Sequence, residues 1–189
     1  LGVQNFDEIL HVSDGIMVAR GDLGVEVPAA QVPHIQKTII KKCAEHYKPV
    51  ITATQMLDSM QRNPRPTRAE VNDVANAVYD GTDCVMLSGE TAAGKYPIDA
   101  VSTMSDICKE TEKYVQENKT YYDRHGVRNV NGATGFAAVE MADRVNAKCI
   151  IVPTHSGRSA RLVSKFRPKV PLYAMSPSEE AVRRTCFYW

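Results

Sequence analysis

Apolar runs at residues 16–19, 50–53 and 84–87 start 34 residues apart, and each passes directly into polar residues. The polar clusters are Arg20-Gly21-Asp22, Thr54-Gln55 and Ser88-Gly89-Glu90. Between the runs the periodicity changes from strand-like to helical. Val32, Ile35, Ile39 and Cys43 trace one face of a helix, widened by Ile40, Ala44 and Tyr47. Thr67 and Glu70 form a T-x-x-E capping box ahead of Val71, Val74, Ala75 and Val78. Pro97 is placed to start a third helix with its stripe through Val101, Met104, Cys108 and Val115, and Phe6 to Leu10 fit the tail of an earlier one. Three βα units in succession suit either a TIM barrel or a doubly wound sheet, and both gather chemistry at the carboxyl ends of their strands.

Residues 116–132 are polar and aperiodic, the mark of a boundary, so the chain divides into 1–115, a linker at 116–132, and 133–189. The second part is α/β with a shorter period. A short helix carries Ala138, Met141, Ala142 and Val145, and a strand follows at 149–152. The polar segment 153–159 comes next, then a helix bearing Leu162, Val163 and Phe166, then a strand at 172–175. Ser176-Pro177-Ser178-Glu179 reads as another capping box with proline in the first helical position.

Composition narrows the classes. Of 189 residues, 43% are hydrophobic, enough for a core, and 23 basic against 22 acidic residues leave a net charge of +1. No global field recruits nucleic acid or an anionic membrane, so a charged ligand must be held locally. Cys43, Cys84, Cys108, Cys149 and Cys186 are scattered without a C-x-x-C pair, which reads as reduced thiols of a cytoplasmic protein. No apolar run is long enough to span a bilayer and no signal-peptide pattern opens the chain. A start at Leu1 and an apolar end at Phe187, Tyr188 and Trp189 read as a piece of something longer.

Four features carry candidate chemistry. Asp22 follows a glycine at a strand end, where an amide and a carboxylate face one ligand; it reads equally as a magnesium ligand or as a cap for the following turn. Arg20-Gly21-Asp22 also spells an adhesion tripeptide, a chance match at a strand end. Residues 89–95 read G-x-x-x-x-G-K, but Tyr96 and Pro97 stand where a P-loop needs a hydroxyl for magnesium, which marks a decoy. Glu90, inside that stretch, lies at a strand end that should face those of Asp22 and Thr54. Finally, Thr154, His155, Ser156, Gly157, Arg158 and Ser159 lie between a strand and a helix, where hydroxyls, amides and a guanidinium suit a phosphate, or where a serine simply caps the helix. The five histidines show no metal spacing; His11, His34 and His46 fall on predicted helices.

The motifs at 15–24 (GIMVARGDLG), 53–57 (ATQML), 63–70 (NPRPTRAE) and 86–92 (MLSGETA) resemble the pyruvate kinase family, in the family's order. The resemblance covers essentially the whole chain and implies a partial TIM (β/α)8 barrel, strands six to eight, followed by an incomplete α/β regulatory domain. It implies phosphoryl transfer from phosphoenolpyruvate to ADP, giving pyruvate and ATP, with Mg2+ or Mn2+ and K+. Carried over by motif, Asp22 resembles the metal ligand, and Gly21, Asp22 and Thr54 the substrate-contacting residues. Thr54, Ser88 and Glu90 are the catalytic candidates, the last two for a proton relay to the enolate. Thr154, Ser156, Gly157, Arg158 and Ser159 resemble a loop that grips the phosphate of a sugar-phosphate or nucleotide effector, with His155 where some members have lysine. The family's catalytic lysine, a second metal-binding glutamate and the potassium ligands belong upstream, so the resemblance implies that this segment alone is inactive. It also implies a homotetramer, with the segment around Arg65 to Glu70 reaching a neighbouring subunit. A non-catalytic phosphometabolite-binding or assembly module is the alternative, and a P-loop phosphotransferase a weaker third.

Overall fold

In the computed structural model, which describes residues 1–117 and 129–189, the three β-branched runs form strands β1 (Ile16–Ala19), β2 (Val50–Ala53) and β3 (Cys84–Met86). They lie parallel in the order β1-β2-β3. The register pairs Ala19 with Ala53 and Ala53 with Met86, so the polar clusters leave the sheet from one end. α1 (Phe6–Val12) precedes the sheet, α3 (Val32–Glu45) connects β1 to β2, α4 (Arg68–Asp80) connects β2 to β3, and α6 (Pro97–Glu117) follows. Two short helices not expected from the sequence begin at the strand ends themselves: α2 (Arg20–Glu26) and α5 (Gly89–Ala92). Single 3-10 turns occupy Ala29–Gln31 and Asp58–Gln61.

Apolar burial explains the layering. Phe6 and Leu10 of α1 pack with Val18, Val50, Ile39, Ile40 and Cys43 in one cluster. A second joins Met56, Leu57 and Met60 to Val74 and Ala77 of α4 and to Ala100 and Met104 of α6. The predicted stripes need local correction. Val101 is 53% exposed and Val71 lies at the surface, because the buried faces run through Ala100 and Met104 and through Val74, Ala77 and Val78. His46 lies in the turn after α3, not on the helix.

The capping box of α4 forms as its sequence requires, with Thr67 Oγ1 accepting from the Glu70 amide and the Glu70 carboxylate accepting from the Thr67 amide at 2.7 Å. Gly81, at φ 93°, ends the helix in the left-handed region that glycine enters without strain. Glu70 also accepts from the Ser59 amide (2.7 Å) and hydroxyl (2.6 Å), which ties the turn after β2 to the start of α4. Partial burial pushes its pKa up, but the bonds from Ser59 and Thr67 outweigh this and leave it below the ordinary carboxylate value. A folded pKa below the unfolded one gives stability that is present above the unfolded value and is lost as pH falls through the folded one. Glu70→Gln should therefore lower stability in denaturant melts at about pH 7, and the difference from the parent should shrink as pH falls through the lowered folded pKa.

By contacts the chain divides into two compact units, Leu1–Cys43 with Pro49–Glu117, and Ala44–Lys48 with the carboxyl-terminal segment. Residues 118–128 of the expected linker lie outside the described residues. At its edges the chain is helical: α6 runs to Glu117, and α7 (Val130–Arg144) starts from Asn129, whose side chain accepts from the Gly132 amide at 2.8 Å.

In the second unit β4 (Ile150–Pro153) pairs in parallel with β5 (Leu172–Met175), connected through α8 (Arg158–Ser164) and followed by α9 (Glu179–Thr185). Val139, Val163 and Phe166 form its core with Phe136, Ile150, Val152 and Leu172. α7 buries Gly132, Gly135, Val139 and Ala142, so the face expected through Met141 and Val145 instead points outward, at 64% and 66% exposure. Small residues on the buried face explain why an apolar stripe misled. The last cap is also shifted: Ser178, not Ser176, accepts from the Ala181 amide, and Pro177 precedes the cap.

Candidate active site and effector loop

The Gly21 amide at the end of β1 donates to Thr54 Oγ1 at the end of β2 over 3.0 Å. Because Thr54 Oγ1 accepts there, its own proton points elsewhere and is available to a ligand. Thr54 and Gln55 have φ of 70° and 52°, consecutive left-handed residues of which neither is glycine. The side chain of Arg20 holds them, with Nη2 donating to Thr54 O at 2.7 Å and Nη1 lying 2.7 Å from Asp73. Asp22 stands in the first turn of α2, exposed, with no hydrogen-bond partner for its carboxylate among the described residues.

Glu90 is 1% exposed. Its Oε1 accepts from the Leu57 amide at 3.0 Å and its Oε2 from the Ser88 amide at 2.8 Å, so one carboxylate bridges the segments that follow β2 and β3. With an amide on each oxygen, the Glu90 side chain clamps these two segments together. Ser88 itself is exposed and non-helical. The 89–95 stretch makes no phosphate-cradling loop, because Gly89–Ala92 are already helical and the strand runs almost directly into them.

The structure thus gathers Gly21, Asp22, Thr54, Ser88 and Glu90 at the carboxyl ends of adjacent parallel strands. Arg20 and Asp73 belong to the same construction and were missed by sequence reasoning: they lie 53 residues apart, and only the fold joins them. For a divalent cation these strand ends offer the open carboxylate of Asp22, and the described residues hold no cluster of three or more His, Cys, Asp or Glu side chains. That donor set fits magnesium, which keeps one or two protein carboxylates and completes its shell with water and substrate oxygens.

In the second unit, Thr154 and Gly157 are buried and frame the loop: the Gly157 amide donates to Thr154 Oγ1 at 3.0 Å, and Gly157 takes φ 82°. Ser176 Oγ donates to the His155 carbonyl at 3.1 Å. Ser156, Arg158 and Ser159 remain exposed. Three of the five expected effector residues are therefore free to meet a ligand, and two hold the loop's shape. Gly157 accommodates the left-handed turn that brings the chain into α8.

The fold alone defines the class: an α/β chain with a three-stranded parallel βα sheet in the first unit and a two-stranded parallel α/β sheet in the second. Comparisons narrow it. A family described as the pyruvate kinase barrel domain matches residues 1–101, and one described as the pyruvate kinase alpha/beta domain matches 132–189. A pyruvate kinase of Clostridium acetobutylicum is 54% identical over 190 residues, covering 100% of this chain and 40% of that protein. One from Geobacillus stearothermophilus is 53% identical, covering 100% of this chain and 32% of its own length. A crystal structure of a pyruvate kinase from Cryptosporidium parvum superposes with a TM-score of 0.94 at 49% identity, over 99% of this chain and 39% of that one. This chain belongs to the pyruvate kinase family, and it spans 32% to 40% of the length of these curated relatives. No helix among the described residues is long and apolar enough to cross a membrane.

Proposed function

We propose that the protein carrying these residues is a cytoplasmic pyruvate kinase of glycolysis, moving the phosphoryl group of phosphoenolpyruvate to ADP. The observation that carries the reading is the Gly21 amide and Thr54 hydroxyl, 3.0 Å apart, beside the open Asp22 carboxylate at one sheet end. The bond between phosphorus and the enol oxygen breaks, a terminal oxygen of ADP forms the new one, and the enolate takes a proton at carbon. Such transfer depends on positioning and charge neutralisation more than on covalent help. Asp22 would hold Mg2+ or Mn2+, which supplies charge neutralisation at the transferring group. K+ is the second cofactor that the reading implies. Gly21 offers its strand-end amide region to the substrate, and the Thr54 hydroxyl and Ser88 are the groups placed to pass a proton to the enolate. Glu90 acts through the amides it clamps.

The reading includes a domain boundary within 116–132, a homotetramer, and an allosteric site for a sugar phosphate or nucleotide at residues 154–159. Its test is a coupled assay on the full-length protein with phosphoenolpyruvate and ADP, in magnesium and potassium; pyruvate formation at ordinary kinase rates supports it, and none overturns it. Exposure of Ser156, Arg158 and Ser159 on a pre-formed turn favours one second reading, a phosphometabolite-binding module without chemistry. Arg158→Ala should weaken sugar-phosphate binding at least 10-fold by calorimetry, given that charge-assisted bonds to phosphate are the strong ones. Unchanged binding would leave Ser156 to Ser159 as an ordinary helix start.

A further inference from the structure

Thr54 and Gln55, at φ 70° and 52°, are the strained point of the first unit. A β-branched residue rarely enters the left-handed region, and such residues persist only where their surroundings over-determine them. Here the surroundings are largely one side chain. Arg20, 11% exposed, donates from Nη2 to Thr54 O at 2.7 Å and to Gln55 O at 3.4 Å, and from Nε to Ala53 O at 3.4 Å. Nη2 also meets Met56 Sδ at 2.7 Å. Four consecutive residues are thus held by one planar fork. Nη1, in turn, lies 2.7 Å from both oxygens of Asp73 on α4.

We propose that Arg20 and Asp73 are a positioning pair for the reaction. Asp73 aims the guanidinium, the guanidinium fixes residues 53–56 in their left-handed turn, and the turn sets the Thr54 hydroxyl against the Gly21 amide. Arg20 precedes Gly21 in the chain, so one residue controls both partners of that bond. Neither Arg20 nor Asp73 needs to touch substrate. The inference rests on the phosphoryl-transfer reading, because the hydroxyl it positions is the one assigned to the enolate. Lysine would keep the charge and lose the fork, which makes Arg20→Lys the sharp variant.

In the full-length protein, Arg20→Lys should lower kcat about 10- to 100-fold, the scale of a misplaced catalytic group, with KM changed less than about threefold. In a Thr54→Ala background the same change should add less than about threefold, since the group it positions is already gone. A crystal structure of Arg20→Lys should show Thr54 and Gln55 relaxed out of the left-handed region. Losses that multiply in the double variant, or a variant structure that keeps both φ values, would overturn the proposal. If Arg20→Lys fails to fold, Asp73→Asn, at a site 38% exposed, carries the same cycle and the same structural readout. Should the unmodified full-length protein not turn over phosphoenolpyruvate and ADP, the function fails. The backbone at Thr54 in the variant then still decides whether the pair positions it.

Discussion

An Asp22→Ala variant of the full-length protein should lose at least about 100-fold in kcat while its folding stability stays within about 0.5 kcal/mol of the parent. The two halves of that expectation come from the same observation. Asp22 is exposed and makes no hydrogen bond among the described residues, so its removal leaves no buried group unpaired and no cavity. Loss of an acidic side chain from the first turn of α2 costs only a few tenths of a kcal/mol through the helix dipole. A carboxylate with no structural work, at the end of a barrel strand, is available for a ligand. If it holds the divalent cation, its loss removes charge stabilisation where the phosphoryl group moves, and effects of that kind run to 100-fold or more. Steady-state kinetics across a magnesium titration, paired with thermal melting, checks both halves. A variant within about 10-fold of the parent would show that Asp22 does not hold the cation.

The strands were legible because β-branched runs repeat at a fixed interval and end in polar residues. β1 and β2 occupy the predicted 16–19 and 50–53, and β3 stops one residue short at Met86. The capping box at Thr67 was equally plain, since its chemistry is local. α2 and α5 were not, because Gly21, Gly24 and Gly89 read as turn residues while the sheet end favours an immediate helix start. Stripe phases failed where small residues carry the contact, at Gly132 and Gly135 in α7 and Ala100 in α6. At the strand ends the sequence marked which residues gather but not how they are held. The left-handed pair Thr54 and Gln55 has no glycine to announce it, and Arg20 meets Asp73 only through the fold.

Glu90→Gln should cost about 3 kcal/mol of stability and about 100-fold in kcat, and the two losses have one cause. The carboxylate accepts from the Leu57 amide through one oxygen and from the Ser88 amide through the other, at 1% exposure. Glutamine offers one oxygen and one amino group. Whichever way it turns, one backbone N–H keeps an acceptor and the other faces a donor. A charge-assisted bond is lost and a buried donor is left unsatisfied, each worth on the order of 1–3 kcal/mol. For a chain of this size about 3 kcal/mol lowers the midpoint of thermal unfolding by roughly 6–12 °C. Relief of the clash moves the segments after β2 and β3 apart, which takes Ser88 and Met56–Leu57 with it and so disturbs the geometry around Thr54. Glu90→Asp separates this clamp from a proton relay. Aspartate keeps the acid but is one methylene too short to reach both amides, so a clamp predicts a loss of stability and rate close to that of glutamine. The pH dependence of kcat should keep its shape in both variants. A relay predicts instead that Glu90→Asp keeps most of its turnover and that Glu90→Gln flattens one limb of the pH profile with little change in melting.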